Sequence, residues 1–286
     1  MIAAVPQASI NYEEIFNFEP PEGYWQRQES KGVFPYVDGM LAKWLPPPAK
    51  ILEIGCDAGR VSLGLQARGY QMTGLDIVQS ALDYARHRNQ ERNLKAKFVH
   101  GNALDLKFSD NEFDGVLLIR QFLSLFHGED QRLQVLREAK RVCKPNGKII
   151  VSIQNQPFQY NIWKFFYYIY ERLFIYPFPK ISRQKIHEII LRFKRINQLH
   201  QYLDKHPEEK QRGDIFIQTR ISETMRNGIP FHMYSLEEIR HDLHACGLEI
   251  LDMRDYVEFE RKVSIPRFLR QGSPFLVFAT QPLSFR

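Results

Sequence analysis

Residues 50–59, Lys50-Ile51-Leu52-Glu53-Ile54-Gly55-Cys56-Asp57-Ala58-Gly59, constrain the fold of this chain more than any other stretch. Ile51, Leu52 and Ile54 form the short, nearly continuous apolar run expected of a strand buried on both faces. The run carries one acid, Glu53, and passes at once into a turn holding Gly55 and Gly59. A residue without Cβ permits a tight turn and lets the backbone approach a ligand closely. Arg60 to Arg68 then reads as a helix ending at Gly69, a natural left-handed residue past a helix terminus. Strand, glycine turn and helix N-terminus in that order make a nucleotide-type site, because the first N–H groups of a helix have no partner inside it.

The same rhythm recurs. Tyr70 to Ile77 is a second strand ending in an acid, Asp76, and Ser80 is expected to cap a helix carrying Ala81, Leu82, Tyr84 and Ala85. Lys97 to Ala103 is a third short strand running into a turn, and Phe113 to Ile119 a fourth. Leu133, Leu136, Ala139 and Val142 fall at helical spacing, Lys144 to Gly147 is a turn, and Lys148 to Ile153 is a fifth strand. After an interruption, Ser235 with Glu238 three residues later is a capping box for a helix through Leu236, Ile239, Leu243 and Ala245. Leu248–Met253 and Phe275–Thr280 supply two more strands. Strands alternating with helices predict an α/β fold, a seven-stranded and mostly parallel doubly wound sheet. Ligands of such sheets sit at the carboxyl ends of the strands, where the strand order reverses.

Two segments stand outside the rhythm. The first 45 residues are aromatic and irregular, with Tyr12, Phe16, Phe18, Tyr24, Trp25, Phe34, Tyr36 and Trp44, and are expected to lie on the body as an N-terminal cap. Residues 155–232 read as a helical insertion after strand five. Trp163 to Phe174 is an aromatic helix, and Arg183 to His200 a second one with an apolar stripe of Ile186, Ile189, Ile190, Phe193, Ile196 and Leu199. The core is accordingly placed at 46–154 and 233–286.

Composition narrows the function. No apolar run reaches the ~20 residues of a membrane span, and Met1 to Ser9 lacks the basic start and apolar centre of a signal peptide. The expected location is cytoplasmic. Cys56, Cys143 and Cys246 are too scattered for a disulfide framework or a zinc site, and no metal site is expected. The net charge of +6 is local: residues 155–213 hold eleven Lys and Arg against five Asp and Glu, and the remainder holds 28 of each sign. The turn at 55–59 also fits a pyrophosphate poorly. The dinucleotide fingerprint needs glycines where Asp57 and Arg60 stand, and a carboxylate in the turn repels a phosphate. A cationic or zwitterionic ligand suits it better.

On these residues the chain resembles the class I S-adenosylmethionine-dependent methyltransferases, a Rossmann-like family, and within them the branch acting on small molecules. Glu53-Ile54-Gly55-Cys56-Asp57-Ala58-Gly59 resembles the family's acid-x-Gly-x-Gly-x-Gly motif with Asp57 in place of the middle glycine. Asp76 matches the acid ending strand two, Gly101-Asn102-Ala103 the Gly-Asp-Ala after strand three, and Phe113–Ile119 and Lys144–Ile150 the fourth strand and the turn into the fifth. The resemblance implies S-adenosyl-L-methionine as cofactor and S-adenosyl-L-homocysteine as product. Asp76, 21 residues beyond Gly55, would accept both ribose hydroxyls. Asn102 would accept from the adenine amino group, the Ala103 N–H would face a ring nitrogen, and Ile77 would pack on the adenine face. Glu53 and Asp57 would set negative charge near the ammonium and sulfonium, with Cys56 in the same loop, and Ile119 and Arg120 would border the methyl group.

In-line methyl transfer needs mainly alignment and exclusion of water. His127 and His232 are the candidate bases for an acceptor that must lose a proton. The aromatic insertion reads as a lid over a hydrophobic or aromatic small-molecule acceptor, with a homodimer surface as the alternative. Its basic amphipathic stretch, 180–200, is also a candidate for peripheral contact with a membrane and a lipid or quinone acceptor. Nucleic acid is disfavoured, since Ile119-Arg120-Gln121-Phe122 stands where base-amine methyltransferases carry Asn or Asp-Pro-Pro-aromatic. A non-catalytic cofactor-binding protein on the same fold is the remaining alternative.

Overall fold

A computed structural model describes residues 22–126, 128–155, 170, 214–217, 229–266, 268–273 and 275–283. Five strands come from the regular part of the chain: β1 (Lys50–Ile54), β2 (Gln71–Asp76), β3 (Lys97–His100), β4 (Phe113–Leu118) and β5 (Cys143–Gln154). β6 (Asp214–Ile217) and β7 (Ile229–His232) pair with each other, and β8 (Leu248–Asp255) and β9 (Phe275–Pro282) return to the main sheet. That sheet has seven strands in the order β3-β2-β1-β4-β5-β9-β8, as the alternation predicts. All neighbours are parallel except β9, which runs against both β5 and β8. The chain progresses outward from β1 to β3, then crosses back to place β4 on the other side of β1. The order therefore reverses between β1 and β4, and the loops following those two strands face each other.

Helices cover both faces. On one lie α1 (Tyr24–Glu29), α2 (Pro35–Trp44), α3 (Arg60–Gln66) and α4 (Gln79–Glu91), with Tyr36, Val37, Met40, Leu41, Val61, Leu63, Leu65 and Leu82 joining Ile51, Met72 and Ile150 in one core. On the other lie α5 (Glu129–Val142) and α6 (Leu236–Ala245), whose Val135, Leu136, Ala139, Val142, Ile239 and Leu243 pack with Leu52, Ile54, Val116 and Leu118. Alternation along β1 explains the split: Ile51 and Glu53 point one way, Leu52 and Ile54 the other. A short helix, α7 (Tyr256–Glu260), follows β8 and packs on α2.

Three expectations change. The N-terminal cap is not irregular where it is described: α2 starts with Pro35, whose missing N–H costs nothing at a helix start, and buries a stripe of Tyr36, Val37, Met40 and Leu41. Ser80 is not the cap of α4. The helix begins at Gln79 after Val78, and the Asp76 carboxylate organises its entry by accepting the Val78 N–H at 3.0 Å. The insertion is not wholly helical, since β6 and β7 form an antiparallel pair within it. Its two expected helices lie outside the described residues, apart from Tyr170, whose hydroxyl donates to the Ser264 carbonyl at 3.0 Å. The box at Ser235 and Glu238 is present in both directions. No helix among the described residues is long and apolar enough to cross a membrane.

Candidate cofactor site

The loop after β1 is built on glycine. Gly55 (φ 77°) and Cys56 both donate their N–H to the Leu75 carbonyl of β2, at 2.8 and 3.0 Å, which folds the loop over the end of that strand. A Cβ on Gly55 would lie 2.2 Å from the Phe122 ring, and one on Gly59 (φ 77°) would lie 2.9 Å from Ala85 Cβ and the Phe98 ring. Both positions need glycine for space and for backbone conformation. Cys56 is buried against Gly74, and burial raises its thiol well above the ordinary value, so it is a packing residue kept protonated.

Asp57 is left-handed at φ 50° and donates its N–H to Asp76 Oδ2 at 2.7 Å. Asp76 accepts the Asp57 N–H on Oδ2 and the Val78 N–H on Oδ1, and a carboxylate offers about four acceptor sites in all. Burial pushes its carboxyl up to about 6, helped by the Asp57 charge and opposed by backbone hydrogen bonds from Asp57, Val78 and Ile77. Next to it, Ile77 is half-buried and its carbonyl lies 2.9 Å from His100 Nε2.

Across the switch point, Arg120 and Gln121 are both left-handed, at φ 55° and 58°. Two successive non-glycine residues in that region are strained. They are held by three elements: the Arg120 N–H donates to Tyr36 Oη (3.3 Å) on α2, the Gln121 N–H to Ser152 Oγ (3.2 Å) on β5, and Gln121 Nε2 to Tyr256 Oη (3.0 Å) on α7. Tyr36 stacks on Tyr256 with centroids 4.1 Å apart and planes 13° off parallel. A turn at Phe122–Leu125 follows and brings Phe122 over Gly55. Arg120 Nη1 lies 3.4 Å from Asp57 Oδ2, so the two loops also meet through opposite charges.

Several sequence-derived roles shift. Glu53 is 2% exposed and accepts from Ser62 Oγ at 2.6 Å. Burial, offset in part by Ser62, pushes it up to about 8, so at neutral pH it is mostly a neutral acid tying β1 to α3 and not a negative charge for the ligand. The Asn102 side-chain oxygen already accepts the Leu104 N–H at 2.9 Å, which spends one of its lone pairs within its own turn, while Ala103 beside it is buried. Ile119 sends its side chain into the core with Tyr36 and Leu117, leaving Arg120 at the surface of the loop. His232 is fully buried, with Nε2 2.7 Å from Glu238 Oε1 and its ring edge-on to Tyr234. His127 lies outside the described residues. No local feature of the sequence marks Tyr36, Gln121, Phe122, Ser152 and Tyr256 as parts of one site.

Residues 51–147 match the family model described as a methyltransferase domain. The match covers about a third of the chain, and over it this core is similar to the S-adenosylmethionine-dependent methyltransferases. A demethylmenaquinone methyltransferase of Bacillus licheniformis is 30% identical over 147 residues, 50% of this chain and 61% of that protein. A ubiquinone biosynthesis O-methyltransferase of Rickettsia bellii is 24% identical over 160 residues, 52% of this chain and 65% of that protein. The matched region thus spans less than two thirds of either relative. A solved S-adenosylmethionine-dependent methyltransferase from Methanosarcina mazei shares the fold, with a TM-score of 0.56, 22% identity, and coverage of 88% of this chain and 99% of that one. The family's cofactor is S-adenosylmethionine, and the donor set at the switch point fits it. Asp76 retains acceptor capacity for a vicinal diol, and the Asp57 and Arg120 side chains offer both signs of charge to an amino acid.

Proposed function

We propose that this protein transfers a methyl group from S-adenosylmethionine to a small aromatic acceptor of the phenol, catechol or hydroquinone type. The observation that carries the reading is the reversal of strand order between β1 and β4, where a glycine turn and Asp76 stand opposite the Arg120 loop. When bound, the cofactor supplies an electrophilic methyl on a sulfonium. Asp76 would hold the ribose hydroxyls, Ile77 and Ala103 would flank the adenine, and the glycines would let the backbone lie against the ligand. For a hydroxyl acceptor, the oxygen–carbon bond would form as the cofactor's sulfur–carbon bond breaks, and the hydroxyl proton would leave to water. Acidic ring hydroxyls need no resident base, and for less acidic ones His127 and His232 stay the candidates. The aromatic class of acceptor is supported by the names of the relatives and by the aromatic residues of the N-terminal segment and insertion.

The basic excess in residues 155–213 favours a second reading of where the reaction happens, at an anionic membrane surface that delivers an apolar acceptor. The test of the activity is transfer of radiolabelled methyl from S-adenosylmethionine to a panel of hydroquinones and catechols, with a peptide and an RNA pool as comparison. Incorporation into the ring compounds alone is expected. Incorporation into peptide or RNA, or none anywhere despite measured cofactor binding, overturns the proposal.

A further inference from the structure

Helices α5 and α6 cover the same face of the sheet and touch through polar groups as well as through the core. Arg132 Nη2 on α5 lies 3.5 Å from Glu238 Oε1 on α6, and Cys246 Sγ, just past α6, donates to the Leu133 carbonyl at 3.6 Å. Along the same seam three further side chains converge. Glu129 opens α5, and His241 and Asp242 are consecutive on α6. One carboxylate oxygen from each acid and one ring nitrogen of His241 all lie within 4.8 Å of one another. Glu129 and His241 are exposed, whereas Asp242 is 1% exposed.

Acids gathered at a surface are ordinary, and Asp242 is what sets this group apart. Its Oδ2 is sealed from water and, among the described residues, receives no hydrogen bond. A buried carboxylate oxygen left without a donor is costly, so a site that keeps one calls for a partner. The cations beside it do not fill that role. Arg132 and His232 both contact Glu238, the latter at 2.7 Å, and Glu238 is a further acid one helical turn before Asp242.

The donor set decides the class of partner. An imidazole nitrogen with two carboxylate oxygens suits zinc and its neighbours in the first transition row, with a fourth position left for water. Calcium and magnesium take oxygen ligands and gain nothing from the imidazole. Ligand atoms around a tetrahedral zinc stand about 3.3 Å apart, so this group must close by roughly 1.5 Å at most. Asp242 is the fixed member, and the two exposed side chains can turn toward it.

We propose that Glu129, His241 and Asp242 form a site for a divalent transition ion of the zinc type, which fastens the start of α5 to the middle of α6. None of the three cysteines belongs to it. It shares no residue with the loops after β1 and β4, so the ion serves stability and not the binding of the cofactor.

The test is calorimetric titration of the full chain, treated with EDTA and dialysed, with zinc chloride. One ion per chain is expected, with magnesium and calcium chlorides binding far more weakly. His241→Ala removes an exposed ring and leaves the core intact, and should weaken zinc at least about tenfold. Asp242→Asn keeps the shape, removes the charge and should do the same. His87→Ala removes an exposed imidazole beside a different carboxylate, Glu91 at 3.2 Å, and should leave the affinity within about twofold. Zinc should also raise the thermal midpoint of the unmodified chain and not that of His241→Ala. Absence of zinc binding, magnesium binding as tightly as zinc, or a loss in His241→Ala no greater than in His87→Ala would each overturn the site.

Discussion

Glu53 shows how a residue's chemistry can be set by what packs on it. Read in the chain, it is an acid beside a ligand loop; in the fold it points toward α3 and meets Ser62 in a dry place. Its folded value of about 8 lies above the ordinary 4.5. Below pH 4.5 both folded and unfolded chains hold the proton. Between 4.5 and about 8 only the folded chain holds it, so stability from this group falls as pH rises and is gone above about 8. Glu53→Gln cannot ionise and still accepts from Ser62. It should therefore be more stable than the unmodified chain by roughly 2–4 kcal/mol at pH 8 and equal to it near pH 4. Urea unfolding at both pH values measures this, and a variant less stable at pH 8 would sink the argument. Gly55, Gly59 and Asp76 were legible because glycine and a strand-ending acid carry their meaning locally. The protonation of Glu53 was not, since it depends on a helix that packs over it.

At the scale of elements, local signals again divide from distant ones. The capping box of α6 spans four residues and could be read directly, as could the alternation that set the sheet. The stripe of α2 was present in the sequence too, but the dense aromatics around it obscured its spacing. The left-handed pair Arg120-Gln121 had no such signature. Its partners are Tyr36, Ser152 and Tyr256, which lie 84, 31 and 135 residues away along the chain from the residues they hold. Only the finished sheet brings α2, β5 and α7 to one turn. Tyr256→Phe keeps the stacked ring and removes the acceptor of the Gln121 amide, and should destabilise the chain by about 1 kcal/mol. Gln121→Gly relieves a left-handed residue and removes the same bond from the other side. A double-mutant cycle between them should give a coupling of about 1 kcal/mol. Additive effects would mean that Tyr256 supports the turn by stacking alone.

The whole molecule combines a balanced core with an unbalanced insertion. Charges of both signs are equal outside residues 155–213, so the excess of base belongs to the segment between β5 and the last part of the sheet. The apolar stripe from Ile186 to Leu199 lies in the same segment, with Lys185, Arg192, Lys194 and Arg195 largely off it. A lid needs only the stripe, buried against the body, and is indifferent to the sign of the charges left in water. A contact with an anionic bilayer needs both, since each basic group near such a surface adds about 1 kcal/mol and the stripe adds burial. The full chain is therefore expected to cosediment with vesicles containing phosphatidylglycerol at low salt, to stay in solution with phosphatidylcholine alone, and to be released as salt shortens the screening length. Replacing Lys185, Arg192, Lys194 and Arg195 by Glu should abolish the association without moving the thermal midpoint. A chain that ignores anionic vesicles would leave the stripe as a lid, and its acceptor would then reach the Arg120 loop from water.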